Sequence, residues 1–471
     1  MRFVSFIISL IFTLESFWIS PFQNKKLNVE ILNEDIPLSD FVSFDGGKII
    51  IGTAESNSFN AGDDAVIYFS LTDKTLNNRK VKVTVEKSDG KNKKTGFVNL
   101  SDNITMCSVN IDSLEPSAYI FTLKTTNNIE YQYRFCIVEN EIINMYPFND
   151  ETVSQMNDAV RDYQMNYEKG YSEKYYVKGR QDNIYAPDGV TFSWGYDDET
   201  DYYTLLLSEF ADMKNAEEYI SYTTSFNIQD LYANKMYYWQ IIAHEDEDEF
   251  RSNIFSFRTA DEHRTIYVDG ALNTRDIGGC ESKLGGRVKQ GMIYRGSNID
   301  HITEVGRIKL ADKFGVHTDF DLREENNSDG KLGENSKRIN ISAQYYAALR
   351  EEPRYASTIQ VMKEFADPEN YPMYIHCAIG RDRTGCAMML LEMLLGMSKK
   401  DIYMDYELSF FASCCSEVDT PDVLLKQFDH MYDFIKNYSL GSCMKNAEKF
   451  LKDNGITDEE INSIRDILIE K

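Results

Sequence analysis

The chain has 471 residues, enough for about three domains, and 42% of them are hydrophobic, so sizeable cores can be buried. Its 76 acidic side chains against 50 Lys and Arg give a formal net charge of −26, which excludes the basic surfaces that nucleic acid and anionic membranes require. The eight cysteines are too scattered to form a disulfide scaffold.

At the N-terminus, Arg2 precedes an apolar run from Phe3 to Leu14 that is too short to span a bilayer. Residues 1–20 are therefore expected to be a signal peptide and the protein secreted or on the cell surface. An uncleaved anchor or a strand of the first domain is the alternative, and a segment that is not a signal would leave the protein cytoplasmic. Residues 25–140 alternate apolar and polar side chains in short runs such as Ala65–Phe69, Val81–Val85 and Tyr119–Leu123, which predicts a β-sandwich. Cys107 and Cys136 could bridge its strands in an oxidising compartment. Residues 150–178 read either as a helix between modules or as a long first strand.

Residues 146–260 predict a second sandwich. Tyr237, Trp239, Ile241 and Ala243 alternate along one strand, with Leu231 six residues before Tyr237 and Phe192-Ser193-Trp194 upstream. This resembles a fibronectin type III module with Tyr237 as its tyrosine corner and Trp194 in its core. Both modules offer surfaces for protein or glycan contacts.

Residues 262–471 predict an α/β domain. Strands are expected near Ile266–Val268, Met292–Tyr294, Val316–Phe320 and Met373–Ile375, and a helix over Ile302–Phe314. Thr457-Asp458-Glu459-Glu460 has the form of a capping box opening a last helix. The chemistry concentrates in His376-Cys377-Ala378-Ile379-Gly380-Arg381-Asp382-Arg383-Thr384-Gly385. A buried strand precedes it and an apolar helix, Cys386–Leu395, follows. A strand turning through glycines into a helix N-terminus aims free N–H groups and the positive end of the helix dipole at one point.

A phosphate dianion fits that point, and the same field favours the thiolate of Cys377, a nucleophile. Arg383 can bind two phosphate oxygens with its planar fork, while the N–H groups from Ala378 to Arg383, through Ile379, Gly380 and Arg381, stabilise the equatorial oxygens. Gly380 lets the loop curve and Gly385 lets the helix start close beneath it. Thr384 is placed to hydrogen-bond the leaving thiolate, and His376 to orient the loop. No metal or cofactor is required. Arg275, Arg295, Arg323, Arg381 and Arg383 can make the cleft locally positive.

Leu272-Asn273-Thr274-Arg275-Asp276-Ile277-Gly278-Gly279, Tyr294-Arg295-Gly296-Ser297 and Asp319-Phe320-Asp321-Leu322-Arg323 precede the loop in order. Together these segments resemble the bacterial tyrosine phosphatase family of the dual-specificity type, from about Ile266 onward. Arg381 stands where that family usually carries Lys. The resemblance implies hydrolysis of phosphotyrosine, in some members with phosphoserine, phosphothreonine or phosphoinositide activity, and places Arg275 and Asp276 with the substrate-binding residues.

Many tyrosine phosphatases take their general acid from a Trp-Pro-Asp loop. The only tryptophans are Trp18, Trp194 and Trp239, so that loop is absent. Asp382 is the expected acid and Asp321 the alternative. The expectation is therefore two all-β sandwich modules followed by an α/β cysteine phosphatase. Its substrate is a phosphorylated protein or, alternatively, a phosphoinositide or inositol phosphate. A surface adhesion protein with a secondary phosphatase domain is the reading from a different class.

Overall fold

The computed structural model describes the chain from 142 to 470, apart from 183, 197–199, 247, 325–331, 334, 347–354 and 417–419. Upstream it describes strands and short flanking stretches between 27 and 138. The expected signal peptide and Trp18 lie outside the described residues.

Two compact units divide the chain: residues 1–152, 191–227 and 236–258 form one, and 153–190, 228–235 and 259–471 the other. In the first unit, strands Val29–Leu32, Met106–Asn110, Val66–Leu71, Ile49–Ile51 and Val42–Phe44 make one sheet in that order. Strands Ser58–Asn60, Glu130–Val138, Ser117–Lys124, Lys80–Lys87 and Lys94–Asn99 make the facing one. Ile67, Phe69, Val83, Val85, Phe121 and Leu123 are fully buried together, as the period-two alternation requires. Cys107 and Cys136 lie on strands of different sheets as free, buried thiols, and burial pushes them up to about 11 and about 12.

The second module is also a two-sheet β structure. Trp194 packs edge-on to Tyr203 at 5.2 Å, and Phe192 edge-on to Trp239 at 5.0 Å. Tyr237 is buried and stacked on Phe257. The two sandwich modules expected from the alternation are therefore present.

The second unit is built on a five-stranded sheet of β1 (Arg275–Asp276), β2 (Ile293–Gly296), β3 (Thr318–Asp321), β4 (Lys337–Asn340) and β5 (Met373–His376), in the order β1-β2-β5-β3-β4. The central strand β5 runs parallel to β2 and β3, and every residue of these three strands is buried. A strand covered on both faces favours an unbroken apolar run such as Met373-Tyr374-Ile375, and the buried charged residues Arg295, Asp319 and Asp321 on its neighbours are paired. Residues 266–268 form no strand. Thr265 and Val268 make only isolated bridges, to Arg275 and Ala271.

The longer helices of this unit are α1 (Asp158–Met165), α2 (Ala356–Glu364), α3 (Asp382–Leu394), α4 (Lys399–Leu408), α5 (Pro421–Lys436), α6 (Cys443–Asp453) and α7 (Asp458–Leu468). The helix expected over Ile302–Phe314 is present as a turn of α-helix, Glu304–Arg307, continued by a π-helix, Ile308–Lys313. Every residue of α3 from Thr384 to Leu394 is buried, so it is the central helix rather than an amphipathic one. Its core partners include Phe320, Ile375, Phe428 and Leu451. The capping box of Thr457 and Glu460 opens α7 as the sequence predicts.

The stretch 153–190, expected within the second sandwich, carries α1 and packs against α4 and the segment after it. Met156, Val160, Tyr163 and Tyr185 bury with Met404, Leu408, Phe411 and Cys415. Glu407 accepts from the Gly170 amide at 3.0 Å and from the Ser172 hydroxyl at 2.6 Å. Asp230, in the short stretch 228–235, pairs with Lys309 at 2.9 Å and Lys313 at 3.0 Å. The unit that holds the phosphate loop thus draws residues from well upstream of 262.

Candidate active site

Strand β5 delivers Cys377 at its C-terminal end, buried, and α3 begins five residues later. No side chain caps α3, so its first N–H groups stay available. The loop between is held open from behind, carbonyl by carbonyl. Asn298 donates its backbone N–H (3.2 Å) and its Nδ2 (2.8 Å) to the Ala378 carbonyl. Asn273 Nδ2 donates to Ile379 O at 2.9 Å, and Arg295 Nη2 to Gly380 O at 2.7 Å. With these carbonyls engaged outside, the amides face the opposite way. Among the described residues, no N–H from Ala378 to Arg383 is donated to a protein acceptor. That is a cradle for a tetrahedral oxyanion.

Gly380 makes the turn possible. Its φ is +73°, and an added Cβ would lie 2.2 Å from the Gly296 carbonyl oxygen. His376 is fully buried, its Nε2 2.8 Å from Asp319 Oδ1 and its Nδ1 3.2 Å from its neighbour's carbonyl, Cys377 O. Both ring nitrogens thus have partners at the end of β5. Thr384 Oγ1 is buried without a hydrogen-bond partner among the described residues. A buried hydroxyl costs stability unless a partner arrives, and a thiolate leaving phosphorus would supply one.

The five arginines expected to charge the cleft do not act alike. Arg275 is fully buried: its Nε donates to Asp405 Oδ1 at 2.7 Å, its Nη2 to Asp405 O at 2.7 Å, and its Nη1 to Asn273 Oδ1 at 2.7 Å and to the Tyr185 hydroxyl at 3.2 Å. Arg295 pairs with the other oxygen of Asp405. Arg323 forks onto Asp300 at 2.6 and 3.0 Å and also holds Asp321. Arg381, also buried, chelates Asp382 through Nε at 2.9 Å and Nη2 at 3.3 Å.

Only Arg383, of the five, has no carboxylate or carbonyl partner among the described residues; its guanidinium lies 5.7 Å from the Tyr345 ring centroid. Arg275 and Arg381, expected at the substrate, are thus tied into the layer behind the loop. Asp276 sits there too, bonded to Arg264 at 2.5 Å and accepting from the amides of Gly278 at 2.8 Å and Gly291 at 2.6 Å.

Residues 266–470 match the model of the tyrosine phosphatase family. This unit is a cysteine phosphatase domain. No curated protein sequence matches the chain. Among solved structures, the core catalytic domain of the PP-IP phosphatase Siw14 from S. cerevisiae is 21% identical, with 31% of this chain and 83% of that one covered and a TM-score of 0.24. A two-domain fibronectin type III segment of chicken tenascin is 9% identical, covering 42% of this chain and 93% of that one, with a TM-score of 0.14.

The two candidate acids in the phosphatase domain differ in setting. Asp321 is fully buried; Arg323 occupies both its oxygens, and Arg338 reaches Oδ2 at 3.2 Å. Burial would raise the Asp321 carboxyl, but the hydrogen bonds from Arg323 and the charge of His376 hold it below the usual range. Asp382 keeps 21% of its side chain exposed, and its Oδ1 also accepts from the Tyr346 hydroxyl, which lies 2.5 Å from that of Tyr406.

Five residues that shape the site carry no motif signal of their own: Asn298, Tyr345, Tyr346, Asp405 and Tyr185. Asn273 lies inside the motif and shows its special backbone only in the structure, with φ +55°.

Proposed function

We propose that the domain hydrolyses phosphotyrosine in proteins, with dual specificity toward phosphoserine and phosphothreonine. The observation that carries the reading is the cation count. Of the five arginines named above, only Arg383 has no carboxylate or carbonyl partner among the described residues, and the half-exposed ring of Tyr345 stands beside it. One phosphoryl group and one adjacent aromatic ring suit this arrangement, because a polyphosphorylated inositol needs several unpaired cations.

In the first step Cys377 Sγ attacks phosphorus in line. The S–P bond forms as the P–O bond to the tyrosine oxygen breaks, and Asp382 gives that oxygen a proton. Cradle amides and Arg383 hold the equatorial oxygens throughout. Water then attacks phosphorus and passes its proton to Asp382, and the S–P bond breaks with Thr384 Oγ1 donating to the departing sulfur. Asp382 is favoured over Asp321 because its side chain stays 21% exposed at the loop, whereas Asp321 is fully buried against Arg323 and Arg338.

The test is a substrate panel of phosphotyrosine, phosphoserine and phosphothreonine peptides, phosphoinositides and inositol polyphosphates, assayed on the full chain. Phosphotyrosine peptides are expected to give the highest kcat/KM. Faster turnover of an inositol polyphosphate would overturn the substrate assignment while leaving the cysteine chemistry intact.

A further inference from the structure

Three ligating side chains from separate parts of the phosphatase unit meet at the far end of α3 from Cys377. His263 lies just upstream of the sheet, Cys280 follows β1, and Asp401 is in the first turn of α4. Their ligand atoms all lie within 4.8 Å of one another. His263 Nε2 is 3.6 Å from Cys280 Sγ and 3.7 Å from Asp401 Oδ1. The second distance is too long for a hydrogen bond. A tetrahedral ion with ordinary Zn–S, Zn–N and Zn–O bonds spaces its ligands about 3.3–3.6 Å apart, which is close to this spacing.

The neighbourhood points the same way. Asp401 Oδ2 accepts from the Ser398 hydroxyl at 2.7 Å, which turns Oδ1 toward His263. The His263 backbone is clasped by Gln164, which donates from Nε2 to its carbonyl at 3.0 Å and accepts from its N–H at 2.7 Å. The Cys280 backbone is fixed by the Val288 amide at 2.9 Å. Such outer contacts orient ligands in metal sites. The carboxyl of Glu392 is buried nearby, and neither of its oxygens has a hydrogen-bond partner among the described residues. His263 and Cys280 both lie within its electrostatic reach.

We propose that His263 Nε2, Cys280 Sγ and Asp401 Oδ1 hold a divalent transition-metal ion of the zinc type, with solvent completing the coordination on the partly exposed side of Asp401. Binding displaces the thiol proton of Cys280 into solvent, and the thiolate becomes the ligand. The role is structural. The ion ties the segment entering the domain to the loop after β1 and to the start of α4. The loop carrying Cys280 meets α3 at its C-terminal end, where Ser282 Oγ donates to Leu395 O at 2.6 Å. Cys377 precedes the other end of that helix, about 20 Å away by helical rise. The ion therefore does not touch the reacting phosphate.

The experiment is a Co(II) titration of the full chain after chelator treatment, followed by absorption spectroscopy. One equivalent is expected to bind, with four-coordinate d–d bands and a thiolate charge-transfer band. Cys280→Ser should remove the charge-transfer band and Cys377→Ser should retain it. Zn(II) should raise the thermal midpoint of the wild type and leave that of Cys280→Ser unchanged. If Cys280→Ser does not fold, Asp401→Asn decides: its Co(II) affinity should fall by more than the roughly hundredfold that loss of an outer contact alone can cost. Absence of stoichiometric binding, a thiolate band lost in Cys377→Ser, or wild-type affinity in Asp401→Asn would each overturn the proposal.

Discussion

The mouth of the phosphate loop and the layer behind it use the same residue types to opposite ends. At the mouth, among the described residues, Arg383 meets no anion, Thr384 Oγ1 has no partner, and the amides from Ala378 to Arg383 are donated to no protein acceptor. Behind, Arg275 and Arg295 close on the two oxygens of Asp405, and Arg381 closes on Asp382. The front is left unsatisfied because the substrate is to satisfy it. The back is saturated, so that the front cannot relax by turning its carbonyls inward. Polar groups at an active site therefore divide by whether the protein or the substrate completes them, and residue type alone does not say which.

Cys377→Ser is the sharpest test of the front. Turnover should vanish while a phosphopeptide still binds, because the amides and Arg383 remain. Stopped assays and a binding titration measure the two separately, and vanadate should inhibit the wild type. Retained turnover in the Ser variant would remove the cysteine mechanism.

Asp382→Asn follows, because Asp382 belongs to both regions. A general acid is worth roughly a hundred- to ten-thousandfold, and less when the leaving group is already a weak base. Phosphotyrosine hydrolysis should therefore slow far more than hydrolysis of an activated aryl phosphate. An unchanged ratio of the two rates would confine Asp382 to holding Arg381, and a changed ratio in Asp321→Asn would pass the acid role there.

Arg383→Ala and Asp405→Ala set front against back directly. The first should lower kcat/KM roughly a hundred- to thousandfold with the unfolding midpoint unchanged. The second leaves two buried guanidinium groups without their shared carboxylate and should cost about 3–5 kcal/mol of stability. Urea titrations and kinetics on both variants check this. A stability loss in Arg383→Ala equal to that in Asp405→Ala would erase the distinction.

The smallest effect is in acid. Burial would raise the Asp405 carboxyl, but Arg275 and Arg295 hold it down to about 2. A carboxyl depressed in the folded state adds stability above its unfolded value of about 3.9, and that stability is lost as pH falls through the folded value. The unfolding midpoint of the wild type should thus drop between roughly pH 4 and pH 2, and that limb should be flatter in Asp405→Asn.

Much of the front was legible in the sequence because it is local. His376 to Gly385 are consecutive, so the strand, the turn and the helix start could be read from spacing alone. The back was not legible, since Arg275 finds Asp405 across 130 positions and Arg381 reaches the Cys415 carbonyl across 34. Nor could the chain show that Arg381 and Arg383 would diverge. Two positions at a helix start are rotated by about 200° from each other, so one faces the core and the other the cleft. The sandwiches were readable from alternation, but the helix-bearing stretch 153–190 was ambiguous, and only packing against α4 assigns it to the phosphatase unit.

Gly380 sets a limit on motif-based reading of genomes. A Cβ there would meet Gly296 O at 2.2 Å, and one at Gly296 would meet the Tyr374 hydroxyl at 2.1 Å. Gly380 is thus held to glycine by the backbone of its neighbour strand, and Gly296 by the Tyr374 side chain. A descendant that kept Cys377, Asp382 and Arg383 but replaced Gly380 would still carry every reactive group, and its loop could no longer close around phosphate. Inventories of catalytic side chains would count it as an enzyme.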